Sequence, residues 1–146
     1  MGAMTDYLEN KLIDQLFRGQ AYTFPSTLYI ALFTANPSDT SGGTEATGGS
    51  YARVAITNSL ANWAGTQSAG STTASSGTGG TTSNNAAITF PTPSANWGTV
   101  TGMAVMDASS AGNMLFFSAL TVSKTVNNGD PAPVFAIGDL TFQIDN

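Results

Sequence analysis

After Arg18 no stretch of the chain keeps the three-to-four-residue apolar spacing of a helix. From Phe24-Pro25 onward the apolar residues come instead in short β-branched and aromatic runs, cut apart by Gly, Pro, Asn and Ser. That punctuation leaves little besides strands and turns. Thr27 to Thr34 (TLYIALFT) is apolar on both faces, which predicts the central strand, closed by Pro37 and Ser38-Asp39. Tyr51 to Thr57, Ala86 to Phe90, Thr99 to Met106, Met114 to Leu120, Lys124 to Val126 and Val134 to Ile144 read as further strands, with Asn127-Asn128-Gly129-Asp130 as a turn. Some seven or eight short strands at this spacing predict a mainly β, antiparallel β-sandwich or jelly-roll-like domain; the chain of 146 residues fits one such domain.

The one exception is an N-terminal amphipathic α-helix, predicted over 6–18. Leu8, Leu12, Ile13, Leu16 and Phe17 fall on one face, Asp6 can cap the start with Glu9 in the capping-box position, and Asp14 and Arg18 form an i,i+4 pair. Gly19 suits the left-handed position that ends a helix. Leu12, Leu16 and Phe17 are candidate interface residues, expected either to dock on the protein's own sheet or to insert into a partner.

Charged residues make up only 9% of the chain, against roughly 25% in an average soluble domain, and none occurs from Val54 through Met106. Ser, Thr, Asn and Gly take their place. Such a surface can lie against a neighbouring subunit without the desolvation cost that Lys or Glu would bring. The net charge of −5, with only Lys11, Arg18, Arg53 and Lys124 as cations, argues against nucleic acid as a partner. No apolar run reaches the ~18 to 20 residues of a membrane helix and no secretory signal is legible, so a soluble protein without conventional export or a membrane partner is expected. Met1-Gly2-Ala3, which fit either a native start or a cloning remnant before Met4, are set aside from the fold reading.

Two loops are rich in Gly, Ser and Thr, at 36–50 and 64–85. The second has no apolar anchor and is expected to order only against a neighbouring subunit, which makes Gly70, Ser71, Thr72, Thr73 and Thr78 candidate interface residues. The bland alternative is a mobile surface insertion.

Little catalytic chemistry is available. The chain contains no His and no Cys, which removes the commonest general base, the commonest nucleophile partner and the usual zinc ligands, and leaves the redox compartment unread. Asp107, Asp130, Asp139 and Asp145 could in principle supply a glycosidase-type carboxylate pair, but all except Asp145 lie in or beside turns that favour Asp for its own backbone bonds. Asp39 and Glu45 bracket a Gly-rich loop, a weak pattern for Ca²⁺, and Gly77-Thr78-Gly79-Gly80 lacks the Lys and helix of a phosphate loop. No catalytic site, metal or cofactor is expected. The sequence Ala-Asn-Trp occurs twice, ending at Trp63 and Trp97. An exposed Trp beside Asn could stack on a glycan, although covering the end of a β core is the commoner role.

Several segments together resemble a family of small virion proteins of tailed bacteriophages, often labelled tail fibre proteins. They are Asp6-Tyr7-Leu8-Glu9-Asn10-Lys11-Leu12 with Phe17-Arg18-Gly19, Leu28-Tyr29-Ile30-Ala31-Leu32 with Asn36-Pro37, Gly49-Ser50-Tyr51-Ala52-Arg53-Val54, Ile88-Thr89-Phe90-Pro91 and Trp97-Gly98-Thr99-Val100-Thr101. The resemblance covers nearly the whole chain. It implies a structural role in the virion, after assembly in the host cytoplasm, with the major capsid protein or tail proteins of the same virion as partners. A homo-oligomer is also expected. Since the chain has neither the repeats nor the heptads of a fibre shaft, a capsid decoration or cementing protein is the preferred expectation, with a tail fibre or tail adaptor contacting host glycans as the alternative.

Overall fold

The computed structural model describes residues 2–40 and 42–144. Its axis is the strand that the apolar run predicts, β-strand Thr27–Ala35, with Ile30 and Leu32 buried on one face and Ala31 and Phe33 on the other. Strands pair with both of its edges, and both of its faces are buried in apolar clusters, which is why the run is apolar on each side. In chain order the elements are β1 (Ala3–Met4), α1 (Asp6–Phe17), β2 (Thr27–Ala35), β3 (Thr44–Glu45), β4 (Val54–Thr57), β5 (Thr81–Ser83), β6 (Ile88–Thr89), β7 (Gly98–Met106), β8 (Met114–Val126), β9 (Val134–Phe135) and β10 (Thr141–Gln143).

The principal sheet is antiparallel and six-stranded, in the order β1-β8-β7-β2-β3, with β4 also paired to β2. β7 lies along one edge of β2, from Tyr29 opposite Met106 to Phe33 opposite Gly102. The other edge of β2 is shared: β4 takes Thr27 to Ile30 and β3 takes Phe33 and Ala35. Two ribbons, β5–β10 and β6–β9, complete the strands. Their Ile88, Phe90 and Phe142 join Ile30, Leu32, Met103 and Val105 of the sheet in the larger core cluster. The mainly antiparallel β class with one N-terminal helix is as the sequence predicts. What packs on the sheet, however, is a pair of two-stranded ribbons, where a sandwich or jelly-roll would carry a second full sheet.

Several boundaries differ from expectation. β8 runs unbroken where two strands are predicted, because its irregular stretch is a bulge: Val100 pairs with Lys124 and Gly102 with Ala119, so Leu120 to Ser123 stand opposite Thr101 alone. Val134 to Ile144 is not one strand. Gly138 at φ 84° and the Asp139 carboxylate, which accepts from the Ala136 amide at 2.7 Å, turn the chain between β9 and β10. β5 lies inside the tract read as a loop.

The helix starts one residue differently from the prediction. Thr5, not Asp6, is the N-cap; its hydroxyl accepts from the Leu8 amide at 3.5 Å and donates to the Met114 carbonyl at 2.6 Å. Leu8 therefore stands where a capping box would need Glu, and Glu9 is not in that position. Arg18 closes the helix and Gly19 follows at φ 66°, as predicted. Gly2 and Ala3, set aside from the sequence reading, also belong to the fold. Ala3 and Met4 pair with Phe117 and Phe116, and the Gly2 amide donates to the Thr141 carbonyl at 2.9 Å. Gly2 is buried so tightly that a Cβ there would run into the Phe142 ring.

Candidate assembly surface

Helix α1 packs on β8 through its first half only. Thr5 is bound to the β8 carbonyls, Leu8 is buried and Leu12 is half-buried. One turn later nothing covers the apolar face: Leu16 is 72% exposed, Phe17 82%, and Ile13 about half. The two outcomes considered from sequence thus occur on one helix, with its N-terminal half docked and Leu16 and Phe17 left outside.

Beside this bare end lies an open groove of about 200 Å³, lined chiefly by Leu8, Leu12, Phe24, Leu28, Leu115 and Phe116, with Ile144 at its rim. Its polar lining residue, Asn58, already donates through Nδ2 to the Pro25 carbonyl at 2.7 Å. Phe24 and Ile144 are themselves more than half exposed. The helix charges near the patch are engaged within the chain. Arg18 pairs with Asp14 at 3.0 Å, and the Lys11 ammonium lies 5.6 Å from the centre of the Tyr7 ring. Sequence reading missed Phe24 and Ile144 as members of this surface, because only the fold brings residues so far apart in sequence to the side of α1.

The long polar tract supplies most of its own order. Gln67 donates through Nε2 to the Ala74 carbonyl at 2.6 Å and the Ser76 hydroxyl at 3.0 Å. Thr66 accepts from the Gly77 amide, and Asn85 accepts from the Gly70 amide while donating to the Leu60 and Ser71 carbonyls. Amide side chains thus take over the anchoring that apolar residues would give, so the expectation that only a neighbouring subunit could order the tract does not hold. Gly70, Thr72, Thr73 and Thr78 remain exposed on it, and Ser71 is half-buried.

The acidic residues weighed for chemistry are occupied by structure. Asp107 accepts from the Asn113 amide and side chain, and Asp130 from the Asn127 amide, each within its own turn. Asp139 serves the turn before β10, and Asp145 lies outside the described residues. Glu45 does not face Asp39 across a cation site; its carboxylate is held by Arg53 and Tyr51. Burial alone would push the Glu45 carboxyl up, but the hydrogen bonds from Arg53 and Tyr51 outweigh it and hold the group below the usual carboxylate range. Among the described residues, no group of three or more His, Cys, Asp or Glu could hold a metal ion, and no helix is long and apolar enough to cross a membrane.

Trp97 is only 3% exposed; its indole donates to the Gly49 carbonyl at 2.9 Å and its ring meets Tyr51 edge-on at 5.2 Å. It is a core residue, and no face of it is open for a sugar to stack on. Trp63 is half-buried against the same core, tilted toward Phe142 at 6.1 Å.

A β-rich chain whose polar side chains secure turns, and which leaves Leu16 and Phe17 bare at one helix end, has the features of a structural protein. Its membership is specific. The chain belongs to the family described as podophage GP4 fiber I protein gp80, whose model matches residues 3–143. It is a phage fibre protein, a non-enzymatic component of the virion. Among curated proteins no relative matches it. The family favours the tail-fibre alternative over the capsid decoration reading. That reading leaned on the missing shaft repeats, yet a compact subunit at the root or tip of a fibre needs none.

Proposed function

We propose that the protein is an assembly module of the tail fibre, a compact subunit that joins copies of itself and other tail proteins of the same virion by surface packing. The observation that carries this reading is the bare end of α1. Leu16 and Phe17 at the end of α1 are largely bare, with Ile13, Phe24 and Ile144 about half exposed or more, and exposed apolar surface gathered in this way marks a contact site. Contacts with other tail proteins fall to the polar tract. There Gly70, Ser71, Thr72, Thr73 and Thr78 offer hydroxyls and backbone with no charge to strip of water. Recognition of host glycans through Trp97 is not part of this reading, since its ring is enclosed.

The test is copy number and position in purified particles. A fibre module occurs in roughly three to a few tens of copies, as closed symmetry around a tail requires, and labels at the tail. Hundreds of copies, with label spread over the head, would overturn the reading in favour of capsid decoration.

A further inference from the structure

We infer that the protein holds a short extended segment of another tail protein as an added strand, in a lane between β8 and β10 that β1 opens. The inference rests on the reading of the protein as an assembly module and adds to the polar tract a second contact with a neighbour. β1 already lies in this lane. Ala3 and Met4 pair antiparallel with Phe117 and Phe116 on one side, and Gly2 bridges Phe142 in parallel on the other. β8 and β10 are therefore two strand spacings apart at this point, roughly 10 Å, which is the width of one intervening strand. Beyond Gly2, no strand among the described residues pairs with this edge of β8, although β8 runs on to Val126.

The register of β1 continues into the groove. A strand leading into Gly2 along the same line would follow β8 upward from Ser118 and β10 downward from Phe142. An open groove of about 360 Å³ is lined by those two runs, Ser118 to Val122 and Phe142 to Asp139. Backbone groups face it. The Leu115 carbonyl takes the Thr5 amide, so by alternation Phe117 and Ala119 turn their backbone to the same edge, and on the opposite wall the Thr141 carbonyl takes the Gly2 amide. The Ala119 carbonyl accepts from the Ser118 hydroxyl at 3.0 Å, a local substitute for a strand donor. The floor is apolar, with Met103, Leu140 and Phe142 buried, and the rim charges Lys124 and Asp139 are opposite in sign. These walls suit an uncharged segment with small apolar side chains at every second position. A second copy is not the guest. A lane walled on both sides has no room for the edge of another sheet, and the described ends of the chain are tied down, the Gly2 amide on the Thr141 carbonyl and the Ile144 amide on the Gly80 carbonyl.

The first test gives the lane a guest at high local concentration. A Thr-Val-Thr-Val-Thr extension is placed ahead of the first residue of the full chain, with a Thr-Pro-Thr-Pro-Thr extension as control. The valine extension is expected to raise the urea midpoint and to slow amide exchange at Ala119 and Thr121 about tenfold or more, and the proline extension, which lacks alternate donors, to do neither. The second test reads what fills the lane in the particle. Val122, 78% exposed, is replaced by the photo-crosslinker p-benzoylphenylalanine in chains incorporated into particles. Irradiation of purified particles is expected to link it to a short uncharged segment of a different virion protein, and the valine extension, occupying the lane from within, should abolish that link. An extension that changes neither midpoint nor exchange would overturn the inference, as would a Val122 link that falls on copies of this chain, is missing, or survives the extension. Copy number at the tail is untouched by any of these outcomes, so the fibre assignment stands or falls separately.

Discussion

Arg53 meets Glu45 as a fork meets a fork: Nε donates to Oε1 and Nη2 to Oε2, both at 2.8 Å. The guanidinium reaches further, with Nη1 donating to the Ala108 carbonyl at 2.7 Å and the Ala111 carbonyl at 2.8 Å, in the turn between β7 and β8. Tyr51 adds a third tie, donating to Glu45 Oε1 at 3.0 Å while accepting from the Leu32 amide of β2 at 2.9 Å. β3 has two residues and β4 four, so their ladders alone hold them weakly. The clasp joins these short edge strands to the centre of the sheet.

Removing the fork should therefore cost more than a surface ion pair would. The Arg53 side chain is only 7% exposed, and Arg53→Met strands a part-buried carboxylate and removes the donor from two carbonyls. A loss of about 2–4 kcal/mol is expected, read from urea unfolding midpoints at neutral pH. Arg53→Lys should recover little, because an ammonium cannot serve both Glu45 oxygens and the two carbonyls. A loss below about 0.5 kcal/mol for Arg53→Met would show that the clasp is ornamental.

The same pair sets a dependence on acid. The Glu45 carboxyl is held below its ordinary value in the folded state, so the unfolded chain takes up the proton first as pH falls. Its contribution is fully present above the unfolded value of roughly 4.3 and is lost as pH drops through the lower folded value. Urea midpoints should thus decline below about pH 4, and Glu45→Gln should start lower but decline less steeply over that window. Parallel pH profiles for the wild type and Glu45→Gln would contradict this assignment.

Asn84 is a second polar keystone, fully buried and bound to segments of both ribbons. Its Nδ2 donates to the Ala86 and Ala136 carbonyls at 2.9 and 2.7 Å, and its Oδ1 accepts from the Leu140 amide at 2.9 Å. Asn84→Ala takes the side-chain partner from the Leu140 amide and the Ala86 carbonyl, while the Ala136 carbonyl keeps the Asp139 amide at 3.1 Å, and should cost about 2–4 kcal/mol in chemical unfolding. Asn84→Asp should fare no better, because a carboxylate cannot donate to the two carbonyls.

What was legible in the sequence was whatever rests on local pattern. The apolar run around Ile30 to Phe33 identified the central strand, the Leu8–Leu12–Leu16 spacing identified the helix, and the turn at Asn127 to Asp130 closes as expected, with the Asp130 amide on the Asn127 carbonyl at 3.2 Å. What escaped depends on distant partners. β1 and β3 are two residues each and exist only because β8 and β2 offer edges. The ordering role of Gln67 and Asn85 looks like plain polarity until the carbonyls they bind are in place. Leu12, Leu16 and Phe17 share one apolar face by spacing, but that the sheet covers Leu12 in part and stops short of Leu16 and Phe17 could not be read from periodicity, which marks an apolar face without marking its cover.

The last prediction separates the structural from the assembling part of the polar tract. A cut from Gly70 to Thr82 would remove two residues of β5, which pair Phe142 with Thr82 and Gln143 with Thr81, along with the Thr82 hydroxyl bond to the Ala64 carbonyl. That deletion should unfold the β5–β10 ribbon. Removing only Thr72 to Thr78 keeps the Gly70–Asn85 bond and the Asn85 bond to the Ser71 carbonyl, and the partners it takes from Gln67 are exposed, so water replaces them. Loop closure changes slowly with length, and the shorter cut should move the unfolding free energy by less than about 1 kcal/mol. If Thr72, Thr73 and Thr78 meet neighbouring tail proteins, particles carrying the shortened chain should hold fewer copies of it than wild-type particles. Urea unfolding together with quantitative staining of purified particles reads both effects. A stable variant incorporated at full copy number would confine assembly to the helix end and return the tract to a surface insertion.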